Sequence, residues 1–235
     1  MTDILVLFTG DKDSLLTTAM LAARGYRCHL QTYNNGRIDG IERIGTAIQH
    51  LQEKYPKKIQ VLPIVKTSIQ FLGLASKFWQ KKVSEIVEGY PNLLPYQLHC
   101  LICRSVMYFD AIIYCRQHNI HYIAEGARKS RGFICGTDEM YDRYKDFCCA
   151  NGVKDLLWPV YLSPTSGVKY ESMLEYYGLP SEIFEPQCSL CRCFDYQLTD
   201  EELSDLLWYF DNELRGDLQT SLSEILTEIL TGEGA

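Results

Sequence analysis

A chain of 235 residues is long enough to bury a full core, as one large domain or as one domain with an appendage. A net charge of −7 and a pI near 5.3 exclude a global basic field for a nucleic-acid backbone, although a local basic patch stays open. There is no apolar run long enough to span a bilayer and no signal pattern after Met1, so a soluble, cytoplasmic protein with no membrane partner is expected, and its ten cysteines read as thiols or metal ligands rather than disulfides.

The chain opens on Ile4-Leu5-Val6-Leu7-Phe8, an unbroken apolar run that fits a strand buried on both faces. Thr9-Gly10-Asp11-Lys12-Asp13-Ser14 follows, and from Leu15 a Leu- and Ala-rich stretch reads as a helix. A polar hexapeptide at a strand-to-helix junction leaves amides unpaired at the positive end of the helix, which suits an anion. Gly10 permits a tight turn, Thr9 and Ser14 bring hydroxyls, and Lys12 brings charge. Asp11 and Asp13 are also suited simply to capping the helix.

Tyr26 to Tyr33 reads as a second strand ending in the turn Asn34-Asn35-Gly36, and Ile41, Ile44, Ile48 and Leu51 recur at helical spacing. Ile59 to Val65 makes a third strand. Strands alternating with helices imply right-handed crossovers, a parallel sheet, and a ligand site beyond the carboxyl ends of the strands. A helix is predicted from Ile69 to Val87, stopped by Gly89 and Pro91. After Cys100-Leu101-Ile102-Cys103-Arg104 comes a helix through Val106, Phe109, Ile112 and Ile113, then a short strand, His121 to Ala124. That strand runs into a second glycine-containing junction, Glu125-Gly126-Ala127-Arg128-Lys129-Ser130. Leu156 to Tyr161 reads as a further strand. The segment from Ser163 holds a helix beginning near Lys169, with Met173, Leu174 and Tyr177, and ends at Gly178 and Pro180.

Cys188-Ser189-Leu190-Cys191-Arg192-Cys193 supplies a second C-x-x-C pair. Two such pairs can converge on one tetrahedral site, so Cys100, Cys103, Cys188 and Cys191 are the candidate metal ligands, with Cys149 or Cys193 as substitutes. Cys148 and Cys149 read as buried thiols, and Cys28, Cys115 and Cys135 as small core residues. Thr199-Asp200-Glu201-Glu202 is a capping box opening an acidic amphipathic helix with Leu203, Leu206, Leu207, Phe210 and Leu214. A second stripe, Leu218, Leu222, Ile225, Leu226, Ile229 and Leu230, suggests two hairpinned helices that cover the sheet, with a homodimer contact as the alternative role.

The hexapeptide at 9–14 resembles the SGGxDS signature of the PP-loop ATP pyrophosphatases, which cleave ATP to AMP and pyrophosphate; GxxxxGK(S/T) and GxGxxG are both absent. Thr9 keeps the hydroxyl of the family's Ser. Asp11 replaces its second Gly and puts a carboxylate where polyphosphate lies, which a divalent metal could bridge. The resemblance covers roughly residues 3 to 193 and implies an α/β fold of the Rossmann-like PP-loop/HUP type. Its parallel five-strand sheet would be flanked by helices, residues 1–195 forming the ATP pyrophosphatase domain and 196–235 an acidic C-terminal helical extension.

By the same resemblance, Thr9, Gly10, Asp11, Lys12, Asp13 and Ser14 cradle ATP phosphates, Tyr33 and Asn34 hold adenine, and Gly126 admits the nucleotide closely. Lys169 reaches phosphate or substrate. Asp13, Lys12, Arg128 and Lys129 are the candidate catalytic groups, with Mg2+ near Asp13, for adenylating a substrate oxygen that nitrogen or sulfur then replaces. The Gly126 junction looks most like that of the 7-cyano-7-deazaguanine synthases of queuosine biosynthesis, implying a ligase that acts on a small deazapurine-type nucleobase. The cysteine layout resembles instead the iron-sulfur tRNA thiolases, in which three cysteines hold a 4Fe-4S cluster. The expected cofactors are therefore ATP, Mg2+ and a 4Fe-4S cluster, with Zn2+ as the alternative to the cluster. Acidity disfavours tRNA as partner, and Asp11 prompts a third reading, a degenerate nucleotide-binding regulatory module.

Overall fold

The computed structural model describes residues 1–70, 72–74, 76, 95–129, 136–164, 168–182, 186–188 and 197–231. Strand β1 (Asp3–Leu7) leads through the 8–11 turn into helix α1 (Lys12–Ala23), and β2 (Arg27–Gln31) returns beside it. Three short strands and a helix follow: β3 (Tyr33–Asn34), β4 (Ile38–Asp39), α2 (Ile44–Lys54) and β5 (Ile59–Val61). Then come β6 (Val65–Lys66), the long helix α3 (Pro95–His118), β7 (Tyr122–Glu125), α4 (Asp138–Ala150) and β8 (Asp155–Leu157). The chain continues through α5 (Val168–Tyr176), β9 (Gln187–Cys188), α6 (Asp200–Tyr209) and α7 (Arg215–Thr231).

The main sheet is parallel with the order β5-β2-β1-β7-β8. Val6 of β1 lies level with Leu30 on one side and Ala124 on the other. The chain therefore builds outward from β1 through β2 to β5, then crosses back to β7 and β8. The switch between β1 and β7 opens a crevice at their carboxyl ends, where doubly wound sheets bind ligands. Alternate residues of β1 and its exit feed two cores: Ile4 and Val6, with Phe8 just past the strand, meet α1, α2 and α5, while Leu5 and Leu7 meet α3, α4, α6 and α7.

Three predicted elements differ in detail. The third strand does not run to Val65, because Pro63 has no N–H for the ladder; β5 stops at Val61, and β6 pairs with β3 in a separate two-stranded sheet. The strand at 156 ends at Leu157, where Trp158-Pro159 turns the chain. The tail is no hairpin. From Tyr209 a π-helical turn (Phe210–Leu214) carries α6 directly into α7, with right-handed helical backbone at both joints and no Gly or Pro to stop it. The capping box at Thr199 and Glu202 forms as predicted. The stripe Leu206, Tyr209, Phe210, Leu214, Leu218 and Leu222 is buried in the same cluster as α3, so its role here is packing.

Helix α3 is long and apolar enough to cross a membrane by length and composition, but 61% of that window is buried inside the fold. Cys28, Cys115 and Cys148 are buried, whereas Cys149 faces solvent, a correction to its reading as a buried thiol. Residues 68–70, 72–74 and 76 are helical; the rest of the helix predicted to Val87 lies outside the described residues, as do Ser130, Cys135, Cys191 and Cys193.

Candidate functional site

The 9–14 loop is held by its own side chains. Gly10 has φ +81°, a left-handed turn, and a Cβ there would meet Ile44 Cγ1 at 2.9 Å. Asp11 is the N-cap of α1, its Oδ1 accepting from the Ser14 amide at 2.8 Å. The Ser14 hydroxyl accepts from the Gly10 amide at 3.1 Å and from Thr9 Oγ1 at 3.2 Å, and it donates to the Asp11 carbonyl at 3.2 Å. One donor and two acceptor positions exhaust a hydroxyl. The Thr9 and Ser14 hydroxyls expected to meet phosphate are thus used to shape the loop, and the Asp11 carboxylate serves as a helix cap. What remains for an anion is the start of α1, with half-buried Lys12 as its first residue.

Asp13 sits in a buried cluster. Its Oδ1 accepts from the Tyr170 hydroxyl, and its Oδ2 lies 2.8 Å from Arg128 Nε. That N–H is not aimed along the contact, which makes it an ion pair rather than an aligned hydrogen bond. The Arg128 guanidinium also lies 4.7 Å from the centre of the Tyr170 ring. Asp13, Arg128 and Tyr170 are 8%, 5% and 4% exposed. Burial, then the Asp13 charge beside it, pushes the Tyr170 phenol well above the usual tyrosine range, so it remains a donor at neutral pH.

Arg128, expected as a loop cation available to phosphate, is therefore packed against Asp13, and the glycine two residues earlier makes that possible. A Cβ on Gly126 would lie 2.6 Å from both the Asp13 carbonyl carbon and the Ser14 nitrogen. The close approach predicted for Gly126 is to the loop's own backbone. Lys129 is exposed and pairs with Asp138, whose carboxyl is held low by Lys129 first and by the Tyr161 hydroxyl second. Lys169 is also exposed; the residue α5 sends inward from that turn is Tyr170. Tyr170 was legible, since the apolar spacing of Leu174 extends back one turn to it.

At the end of β2, Thr32 Oγ1 donates to the Phe8 carbonyl at 2.9 Å, tying that strand end to the loop. The Tyr33 ring is not at the strand end. It is buried in the core over α3, its phenol pushed up by burial and then by the charge of Asp110, whose own carboxyl burial raises. Only its backbone remains to meet an adenine. Asn34 Oδ1 accepts from the Gly36 amide at 2.8 Å and closes the turn.

Asn35, which the sequence marked only as a turn residue, brings the two cysteine segments together. Its Nδ2 lies 3.3 Å from Cys103 Sγ and 3.9 Å from Cys188 Sγ, while Oδ1 accepts from the Arg37 amide at 2.9 Å. Cys188 arrives on β9, which pairs antiparallel with β4 so that it faces Ile38. Cys103 lies one helical turn past Cys100 on α3. Cys100 is buried and disulfide-bonded, a correction to the expectation that it is a free thiol or metal ligand. Among the described residues no three His, Cys, Asp or Glu side chains gather as a metal site. Two sulfurs from distant segments sharing one amide donor nevertheless suit thiolate ligands, whose charge such donors temper.

A buried network joins this region to the β7 end. Glu125 accepts from the Tyr108 hydroxyl and pairs with Arg104, the neighbour of Cys103; Trp158 Nε1 donates to the Tyr108 oxygen at 3.1 Å. The loop, the β2 end, the β7 end and the Cys103 turn thus share one edge of the sheet.

No family model matches the sequence, and no curated protein matches it. Among solved structures, a 4-thiouridine synthetase in complex with RNA and bound ATP superposes with a TM-score of 0.56 at 13% identity, over 94% of this chain. The two chains share a fold, here a parallel five-strand sheet flanked by helices. This chain spans 54% of the synthetase's length, and at such identity the likeness is one of fold. A predicted subunit of tRNA methyltransferase from Methanocaldococcus jannaschii aligns over 76% of this chain and 89% of its own, at 16% identity. Its TM-score of 0.46 is too low to carry an argument.

Proposed function

We propose that this chain is a PP-loop enzyme, AMP-forming and ATP-dependent, that activates a carbonyl oxygen of an RNA nucleobase and replaces it with sulfur. The observation that carries the sulfur reading is Asn35, whose amide joins Cys103 and Cys188 at the sheet edge that bears the 9–14 loop. That a synthetase of thiouridine shares the fold and was solved with RNA and ATP supports it.

ATP would lie across the strand ends, its phosphates at the start of α1 beside Lys12. The nucleobase oxygen attacks the α-phosphorus, the bond to the β-phosphate breaks, and pyrophosphate leaves. Sulfide, supplied as co-reactant, then displaces AMP. A carbonyl oxygen is a poor leaving group until it carries AMP, which is why ATP is spent first. Asp13, whose carboxylate accepts from Tyr170 and pairs with Arg128, would hold Mg2+ through its oxygens. Mg2+ would supply charge neutralisation for the departing pyrophosphate. Cys103 and Cys188, with Cys191 and, once its disulfide is reduced, Cys100, would hold a 4Fe-4S cluster or Zn2+, which when bound offers a site for sulfur.

The deazapurine route rests on the wording around Gly126, a glycine that its contact with the loop backbone explains for any substrate. The test is full-length protein purified anaerobically and given α-labelled ATP, Mg2+, sulfide and unfractionated tRNA. Equal yields of AMP and pyrophosphate, with a sulfur-containing nucleoside after digestion, are expected. Formation of ADP, turnover requiring a deazapurine and ammonia instead, or ATP that binds and is never cleaved would overturn the reading.

A further inference from the structure

Three segments far apart in the chain meet at Tyr170, which does two separable things there. Its hydroxyl donates to Asp13 Oδ1, and its ring face seats the Arg128 guanidinium at 4.7 Å, while Arg128 Nε lies 2.8 Å from Asp13 Oδ2. Resting on the ATP-using reading above, we propose that Tyr170 is a positioning residue for the adenylation step, its hydroxyl aiming Asp13 and its ring seating Arg128 for the triphosphate.

The physical argument starts from the burial of all three groups. A buried guanidinium and carboxylate stay in place only with partners that offset lost hydration. When a triphosphate arrives at the start of α1, it competes with Asp13 for the Arg128 charge. The aromatic face is a neutral seat that persists through that exchange, because its attraction for the cation does not depend on the carboxylate. The hydroxyl keeps Asp13 oriented at the same moment, when Arg128 is being shared. The Asp13 backbone in turn lies against Gly126, so the loop that carries this carboxylate is itself held in place.

Two substitutions separate these roles. Tyr170→Phe keeps the ring and nearly all the buried volume and removes only the donor. Losing a hydrogen bond to a charged group lowers AMP formation by about tenfold to a hundredfold, and the KM for ATP stays within about twofold because the seat is intact. Tyr170→Leu removes both, and a lost cation–π contact adds a rise of about fivefold or more in KM and in the calorimetric Kd for MgATP. Thermal melting establishes the folded fraction of each variant. The inference is overturned if Tyr170→Phe turns over like the unmutated protein, or if both variants lose the same share of kcat and of ATP affinity. Should the unmutated protein form no AMP, the enzymatic reading falls, yet MgATP calorimetry still decides the seat: equal affinities for the unmutated protein and Tyr170→Leu sink it.

Discussion

Gly126→Ala is the sharpest perturbation of the crevice. The backbone at Gly126 does not have positive φ, so the requirement is for space, not conformational freedom. An added methyl would sit 2.6 Å from the Asp13 carbonyl carbon, 2.6 Å from the Ser14 nitrogen and 2.8 Å from the Asp13 oxygen. All three are backbone atoms, so no side chain can swing aside; β7 and the loop must part by several tenths of an ångström. Overpacking costs about 1–3 kcal/mol, and an obstacle of backbone puts this site near about 3. At about 2–4 °C per kcal/mol for a chain of this size, the melting temperature should fall by roughly 6–12 °C. Because the displaced atoms belong to the 9–14 loop proposed to hold the phosphates, MgATP affinity should fall at least about tenfold, the weight of one misplaced charge-assisted contact. Gly45→Ala, inside α2 with nothing within 4 Å of the new methyl, is the control and should gain about 0.5–1 kcal/mol. Denaturation curves and calorimetry on both variants decide it. A Gly126→Ala protein with unchanged midpoint and unchanged MgATP affinity would refute the packing account of this glycine.

Glu125→Gln leaves the Arg104 guanidinium without its carboxylate in a mostly buried setting and should cost about 3 kcal/mol in urea unfolding; a loss below about 1 would show the pair to be dispensable. Asn35→Ala removes the donor shared by Cys103 and Cys188, so sulfur incorporation into tRNA should drop at least about tenfold while MgATP affinity holds within about twofold; unaltered thiolation would detach Asn35 from the sulfur site. Asp3 is lowered from 3.8 to about 2, first by its Arg27 hydrogen bond, against burial and with help from His29. A depressed folded pKa contributes stability above pH 4 that is lost as the pH falls towards 2, and with Arg27 half-exposed this is about 1 kcal/mol. Acid unfolding should therefore lose that increment in Asp3→Asn, and an unchanged acid limb would contradict the assignment. Asp13→Asn leaves Arg128 partly uncompensated, so loss of AMP formation should come with a lower melting point; a variant as stable as the unmutated protein would argue against the buried ion pair.

Periodicity and local chemistry determined the order of strand, loop and helix, the parallel sheet, the Gly10 turn and the capping box at Thr199, because each depends on residues within a few positions of one another. They also located the edge where a nucleotide would lie, since that follows from parallel topology alone. Partner choice between distant residues was decided only by the tertiary structure. Which of the neighbours Lys169 and Tyr170 turns inward depends on the roll of α5 against the sheet, and the pairing of Arg128 with Asp13 depends on Gly126 letting β7 close on the loop. The meeting of Cys103 and Cys188 at Asn35 depends on β9 crossing to β4. Pro63 and the π-helical turn at Phe210–Leu214 make the same point for the backbone: a local pattern states which conformation each segment favours, while burial and hydrogen bonding across the whole fold select where each one stops.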